Sequence, residues 1–229
     1  MGVPAVARAR ARVYQALAQA LQPPDDSRLA SLAGAPTLLR RRVAALAGLA
    51  QGDPASRLVR LLEVLADTDL LTLQTVYVRV FGLDGSGGRP ACESYYRSRS
   101  PEDIPRVLAA VERAYAAMGV AVDPAGGLPP DHLTVELECA ALLCAHEAAA
   151  WRSPSGAAEV LAREQRFLRD HLGGWLPALG TDIARRDPVG VYAGIVSCAG
   201  DLVRHDLAWL QALVRAGAGG SRGEEGGES

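Results

Sequence analysis

Four ionisable side chains, Asp131, His132, Glu136 and Glu138, crowd the start of an apolar stretch, PPDHLTVELECAALLCAHEAAAW, that runs from Pro129 to Trp151. Three kinds of chemistry suit such a group. The first is metal binding: His132 and Glu136 fall one helical turn apart, a spacing that clamps a metal, but no third or fourth ligand is evident. His146-Glu147 opens a zinc-protease pattern, yet the second histidine position is Ala150, so the pattern fails. The second is catalysis at a nucleophile or a phosphate. No nucleophile elbow places Ser94 or Ser98 beside His132, and the glycine run Gly82–Gly88 follows a helix and lacks the lysine of a phosphate loop. The third is recognition of a cationic peptide, in which carboxylates accept the forked donors of guanidinium groups and an apolar groove takes the rest. Glu93, Asp131, Glu136 and Glu138 are the candidates for the first task. Tyr77, Val80, Phe81, Tyr95 and Leu133 are candidates for the second, with Pro90 and Pro130 in the two segments that carry them. Each has a plainer reading. His132 suits a hydrogen-bonded residue at a helix start, the acids can pair with Arg97 or Arg99, and Tyr77 and Phe81 at i, i+4 suit a core.

The elements that must hold these residues are helical. In the central stretch Leu133, Leu137, Ala141, Cys144, Ala148 and Trp151 recur every three or four residues, and alanines and leucines fill most of the other faces. A helix that is apolar nearly all round belongs inside a domain, and Asp131 is expected to cap it. Before it, apolar spacing and caps predict helices over 4–21, 28–33, 36–50, 54–66 and 70–81. Asp53-Pro54 and Asp69 mark two of the starts. Arg8, Arg10 and Arg12 on the first helix, and Arg40 to Arg42 on the third, are expected on solvated faces. Glycines break the chain after Phe81, and a loop of about eighteen residues is expected to reach Ser100. Further helices are expected over 101–118, 155–172, 175–186 and 188–214. Residues 1–215 are expected to form one all-α domain, and the Gly- and Glu-rich segment 216–229 a disordered tail. No sustained period-two run occurs.

Composition bounds the function. The 229 residues are 49% hydrophobic and 5% aromatic, which favours helix over strand. Every cation is arginine. Formal net charge is −2. Residues 84–147 carry a surplus of acids and residues 1–60 a surplus of arginines, so the middle of the chain suits a cationic partner. The arginines without interleaved aromatics do not make a nucleic-acid patch. Four cysteines, Cys92, Cys139, Cys144 and Cys198, form no CxxC pair and are expected to be reduced. No signal peptide or membrane span is apparent, and a cytoplasmic chain is expected.

Three motifs in order resemble one family. PDHLTVELE resembles the Pro-Asp-His-Leu and Glu-Leu signature of the TorD/DmsD/NarJ-type chaperones of bacterial molybdoenzymes. YVRVFGLDGSGGRPACESYY resembles their Tyr-x-x-x-Phe loop ending in Glu-Ser-x-Tyr, and FLRDHLGGWLP resembles their late His-Leu…Trp-Pro turn. Cys139 and Ala140 stand where the family often has an aromatic and a methionine. The resemblance implies a TorD-like bundle of nine to ten helices that is no enzyme and carries no cofactor or metal. It implies a chaperone that binds the twin-arginine signal peptide of a molybdopterin-dependent oxidoreductase, holds the apo-subunit through cofactor insertion and releases it for export. As partner it implies the apo catalytic subunit, with the chaperone a monomer or a domain-swapped dimer. A NarJ-like factor for a reductase subunit that is not exported is the alternative. A metal-dependent hydrolase built on the Asp131–Glu138 cluster is the reading from another class.

Overall fold

The computed structural model describes residues 2–31, 54–82, 89–122, 127–151 and 154–220. The expected helix 36–50, with Arg40 to Arg42, and most of the glycine run lie outside them. Among the described residues there is no strand, only an isolated antiparallel bridge between Cys92 and His132. The helices are α1 (Val3–Ala20), α2 (Pro54–Asp67), α3 (Leu70–Phe81), α4 (Glu93–Arg97), α5 (Ile104–Ala116), α6 (Leu133–Ala150), α7 (Pro154–Asp170), α8 (Leu172–Ala184) and α9 (Val191–Gly220). Residues 26–31 are also helical, and a 3-10 turn at Pro101–Asp103 leads into α5. The all-α expectation holds.

The bundle is organised around α6. Helix α1 packs along it on one side and α7 on another, while α9 packs against α8, α2 and α7. The buried faces of α1 and α6 are rich in alanine: Ala7, Ala11 and Ala18 on one, Ala140, Ala141 and Ala148 on the other. Small side chains let helix axes approach closely. Leu133, Leu137, Leu143 and Cys144 of α6 are at most 1% exposed. Each buried leucine contributes on the order of 1.5–3 kcal/mol relative to an exposed one.

Local signals set several boundaries. Asp69 caps α3 by accepting the Thr72 N–H at 2.9 Å. Asp187 prepares α9 by accepting from the N–H groups of Gly190 and Ala193, each at 2.8 Å. Gly173 and Gly174, which fall between the helices expected over 155–172 and 175–186, lie in the first turn of α8. A Cβ on Gly173 would stand 2.9 Å from the Leu168 carbonyl oxygen, so this tight α7–α8 turn requires glycine. Helix α9 continues to Gly220, past the expected tail start at Ala216, and residues 221–229 lie outside the description.

Two expectations are corrected. The long loop before Ser100 contains a helix, α4, whose N-terminus is capped from a distance in sequence, as described below. Arg10 is also not on a solvated face; it is 2% exposed. A step of two residues turns a helix by about 200°, so Arg8 and Arg12 share the outer face while Arg10 points inward.

Candidate functional site

The start of α6 and the segment around α4 form one unit. The Leu133 N–H donates to Ala91 O at 2.7 Å and the Glu93 N–H to Asp131 O at 2.9 Å, which closes the Cys92–His132 bridge. Asp131 does not cap α6. Its Oδ2 accepts the Ser94 N–H at 2.8 Å, and so satisfies a free donor at the start of α4. The cap of α6 is His132, whose Nδ1 accepts the Thr134 N–H at 3.2 Å. A nitrogen that accepts carries no proton, and burial pushes the imidazole pKa down to about 4 against the opposing charge of Asp131. His132 is therefore neutral at pH 7.

Behind this junction lies a buried carboxyl pair. Glu93 and Glu136 are both 0% exposed. The Trp175 indole N–H donates to Glu136 Oε2 at 3.1 Å. Glu136 Oε1 has no N–H or O–H donor, while the two carboxyls hydrogen-bond each other. That contact needs a proton between them. Burial, and then the charge of Glu93, raises the Glu136 pKa well above the ordinary range, so Glu136 carries the proton and donates it. Burial also pushes Glu93 upward, but His171, Arg97 and the Glu136 hydrogen bond outweigh it and hold Glu93 below the usual value. Glu93 is thus the ionised member. His171 Nδ1 lies 2.8 Å from Glu93 Oε2 and must donate to it. The Arg97 guanidinium pairs with Oε1. Tyr96 stacks on Trp175 with ring centroids 5.6 Å apart, which closes one side.

The remaining candidates divide between core and surface. Val80 and Leu133 are fully buried. Phe81 and the half-buried Tyr77 pack against each other at 5.0 Å and against Tyr192 at 5.7 and 5.6 Å, and the Tyr77 hydroxyl donates to Leu21 O. Pro90 is half-buried just before the bridge, and the Pro130 carbonyl accepts the Tyr115 hydroxyl at 2.8 Å. Tyr95 is 44% exposed, with the Arg89 guanidinium 5.9 Å from its ring centroid. Glu138 is exposed. It stands on a groove of about 420 Å³ lined by Tyr115, Val120, Val122, Leu128, Val135, Cys139 and Leu142 among others. Val135, Glu138, Cys139 and Leu142 fall at i, i+3, i+4 and i+7, which is one face of α6 over two turns.

The four acidic and imidazole groups at the start of α6 thus do not converge on a common point. Asp131 and His132 cap backbone, Glu136 is buried against Trp175, and Glu138 faces a groove. Among the described residues the ligating groups that do gather, within 4.8 Å of one another, are Cys144, Glu164 and Asp206. The Arg10 guanidinium already occupies that position, 2.6 Å from Glu147 and 2.9 Å from Asp206 and also paired with Glu164. Of the partners that complete the Glu93–Glu136 node, Arg97 was expected as an internal partner of the acids, whereas His171, Tyr96 and Trp175 were not among the candidates. His171 and Trp175 do lie in the third motif, the one available signal for them.

The fold and this junction place the three motifs side by side, and comparison with known proteins agrees. A family described as the nitrate reductase delta subunit matches residues 49–180, more than half of the chain. The chain belongs to that family, which is the class of redox-enzyme assembly chaperones indicated by the motifs. Among individual proteins it is similar to the selenate reductase assembly chaperone protein of Thauera selenatis. The two are 31% identical over 134 residues, which cover 58% of this chain and 67% of that relative. No described helix is long and apolar enough to cross a membrane.

Proposed function

We propose that the chain is a cytoplasmic assembly chaperone for a molybdopterin-dependent reductase, and that it binds the N-terminal segment of the apo catalytic subunit without covalent chemistry. Family membership supports the chaperone class. The observation that supports peptide binding is the groove along the Val135–Leu142 face of α6. It is a largely apolar channel, and among its described lining residues the carboxylate is Glu138, which suits an amphipathic segment carrying a cationic residue. A twin-arginine leader fits that description, and so does the basic, amphipathic N-terminus of a subunit that is not exported.

Titration of the chain with a labelled synthetic peptide, two arginines followed by an apolar helix, tests the proposal. Val135→Asp places a charge in the groove and is expected to abolish binding. Glu138→Gln is expected to weaken binding while stability changes by less than about 0.5 kcal/mol, as for an exposed side chain. A Lys-Lys version of the peptide separates the two clients. Marked loss of affinity supports the exported, twin-arginine client, because an ammonium cannot reproduce the guanidinium fork. Equal affinity supports the subunit that stays behind. No saturable binding of either peptide sinks the proposal.

A further inference from the structure

We infer that the junction of α4 with the α7–α8 turn is a guanidinium socket, which the chain fills with its own Arg97 and which an arginine of the bound client segment takes over. The socket does not depend on the function proposed above; the takeover by a client does.

The observations are geometric. Glu93 is wholly buried, whereas the Arg97 side chain that pairs with it is 43% exposed. Glu93's other partners, His171 and Glu136, are 7% and 0% exposed, so Arg97 is the partner that faces solvent. Arg97 Nη1 also donates to the Asp170 carbonyl at 2.5 Å. Gly174 flanks the group: a Cβ placed there would lie 3.8 Å from Nη1 and 3.9 Å from Cζ, at van der Waals contact. A buried carboxylate oxygen and a backbone carbonyl thus face one cation from the protein side, with solvent on the other. Removing that cation leaves a buried carboxylate short of a partner, which is costly. Exchanging it for another guanidinium leaves Glu93 paired before and after. Arg97 is the last residue of α4 and its side chain faces solvent, so it can swing out without unpacking the buried Glu93 and Ser94 at the start of that helix. Arg97 then acts as a built-in competitor, and a client arginine must displace it.

The experiment uses the full chain and Arg97→Ala, with thermal unfolding followed by tryptophan fluorescence. The variant is expected to melt below wild type and to recover, saturably, with methylguanidinium. Methylammonium, being more strongly hydrated, is expected to do less. The double variant Glu93→Gln/Arg97→Ala is expected to show no recovery. Absence of recovery, equal recovery with methylammonium, or recovery that persists in the double variant would overturn the socket. Arg97→Gln keeps the test in hand if the alanine variant does not fold. The Arg-Arg peptide is then expected to bind Arg97→Ala about tenfold more tightly than wild type, because the competing state is gone. Equal or weaker binding overturns the takeover. Methylguanidinium recovery without peptide binding to any form keeps the socket and removes the client from it.

Discussion

Two arginines in this bundle each hold buried carboxyl groups, and they do so under opposite conditions. Arg10 joins Glu147, Glu164 and Asp206, and so ties α1 to α6, α7 and α9, with every side chain at most 5% exposed. Arg97 joins Glu93 at the α4–α8 junction, and nearly half of its side chain is in solvent. The first arrangement is sealed. One guanidinium faces three carboxyls, and burial raises the pKa of each while Arg10 opposes the rise. Ion pairs of this depth are weak evidence of net stabilisation, but breaking one strands a buried charge. The second arrangement has a door. The comparison teaches that the same pairing chemistry serves as a fastener or as an exchangeable contact, and that solvent access to the arginine decides which.

The sharpest way to break the comparison is Arg10→Met. Loss of the internal cation is expected to cost about 3–5 kcal/mol, measured by urea unfolding, because three carboxyls lose their partner at once. A loss no larger than that of Arg97→Ala would mean the two nodes are alike. Next comes pH. The Glu164 pKa is raised from 4.5 to about 7, by burial first, with Arg10 opposing and Glu147 and Asp206 adding. The folded chain therefore holds a proton that the unfolded chain releases. The stability from this group is complete below pH 4.5 and is lost as pH rises through about 7. Glu164→Gln is expected to flatten that decline in denaturation curves between those two values. An unchanged slope would remove Glu164 as its source. The smallest effect belongs to the open node. Glu136→Gln preserves a neutral group that accepts from Trp175 and donates to Glu93, and is expected to cost less than about 1 kcal/mol, whereas Glu136→Ala leaves both partners unmatched and costs about 1–3 kcal/mol. Equal costs for the two variants would mean that Glu136 is not the protonated member.

What the sequence revealed follows from the range of the forces involved. Helix periodicity and caps are local, so α2, α3, α6 and the start of α9 were legible to within a few residues. The buried arginine was half legible. Alternate residues do not share a helical face, and that spacing alone separates Arg10 from Arg8 and Arg12. Its partners were not, since they lie 137 and 154 positions away in Glu147 and Glu164. Among the candidate site residues, side-chain chemistry did not reveal burial. Glu93, Asp131 and Glu136 were candidates for a foreign cation, with pairing inside the chain as the plainer reading, and each has a partner within the chain. Asp131 was expected to cap its own helix, yet it caps α4 across a separation of 37 residues. Glu138, whose position on α6 leaves it outside the packed faces, is the one of the four acids that reaches solvent.

The backbone pairing of Ala91 and Glu93 with Leu133 and Asp131 has a topological consequence. It fastens the two ends of a loop that contains α4 and α5, so that the chain between them forms a closed ring. The closing cost of such a ring grows only slowly with its length. A single protease cut in the connection between α5 and α6 should leave two fragments that migrate together, held by this clasp and by the packing of α1 on α6 and of α2 on α9, until a denaturant separates them.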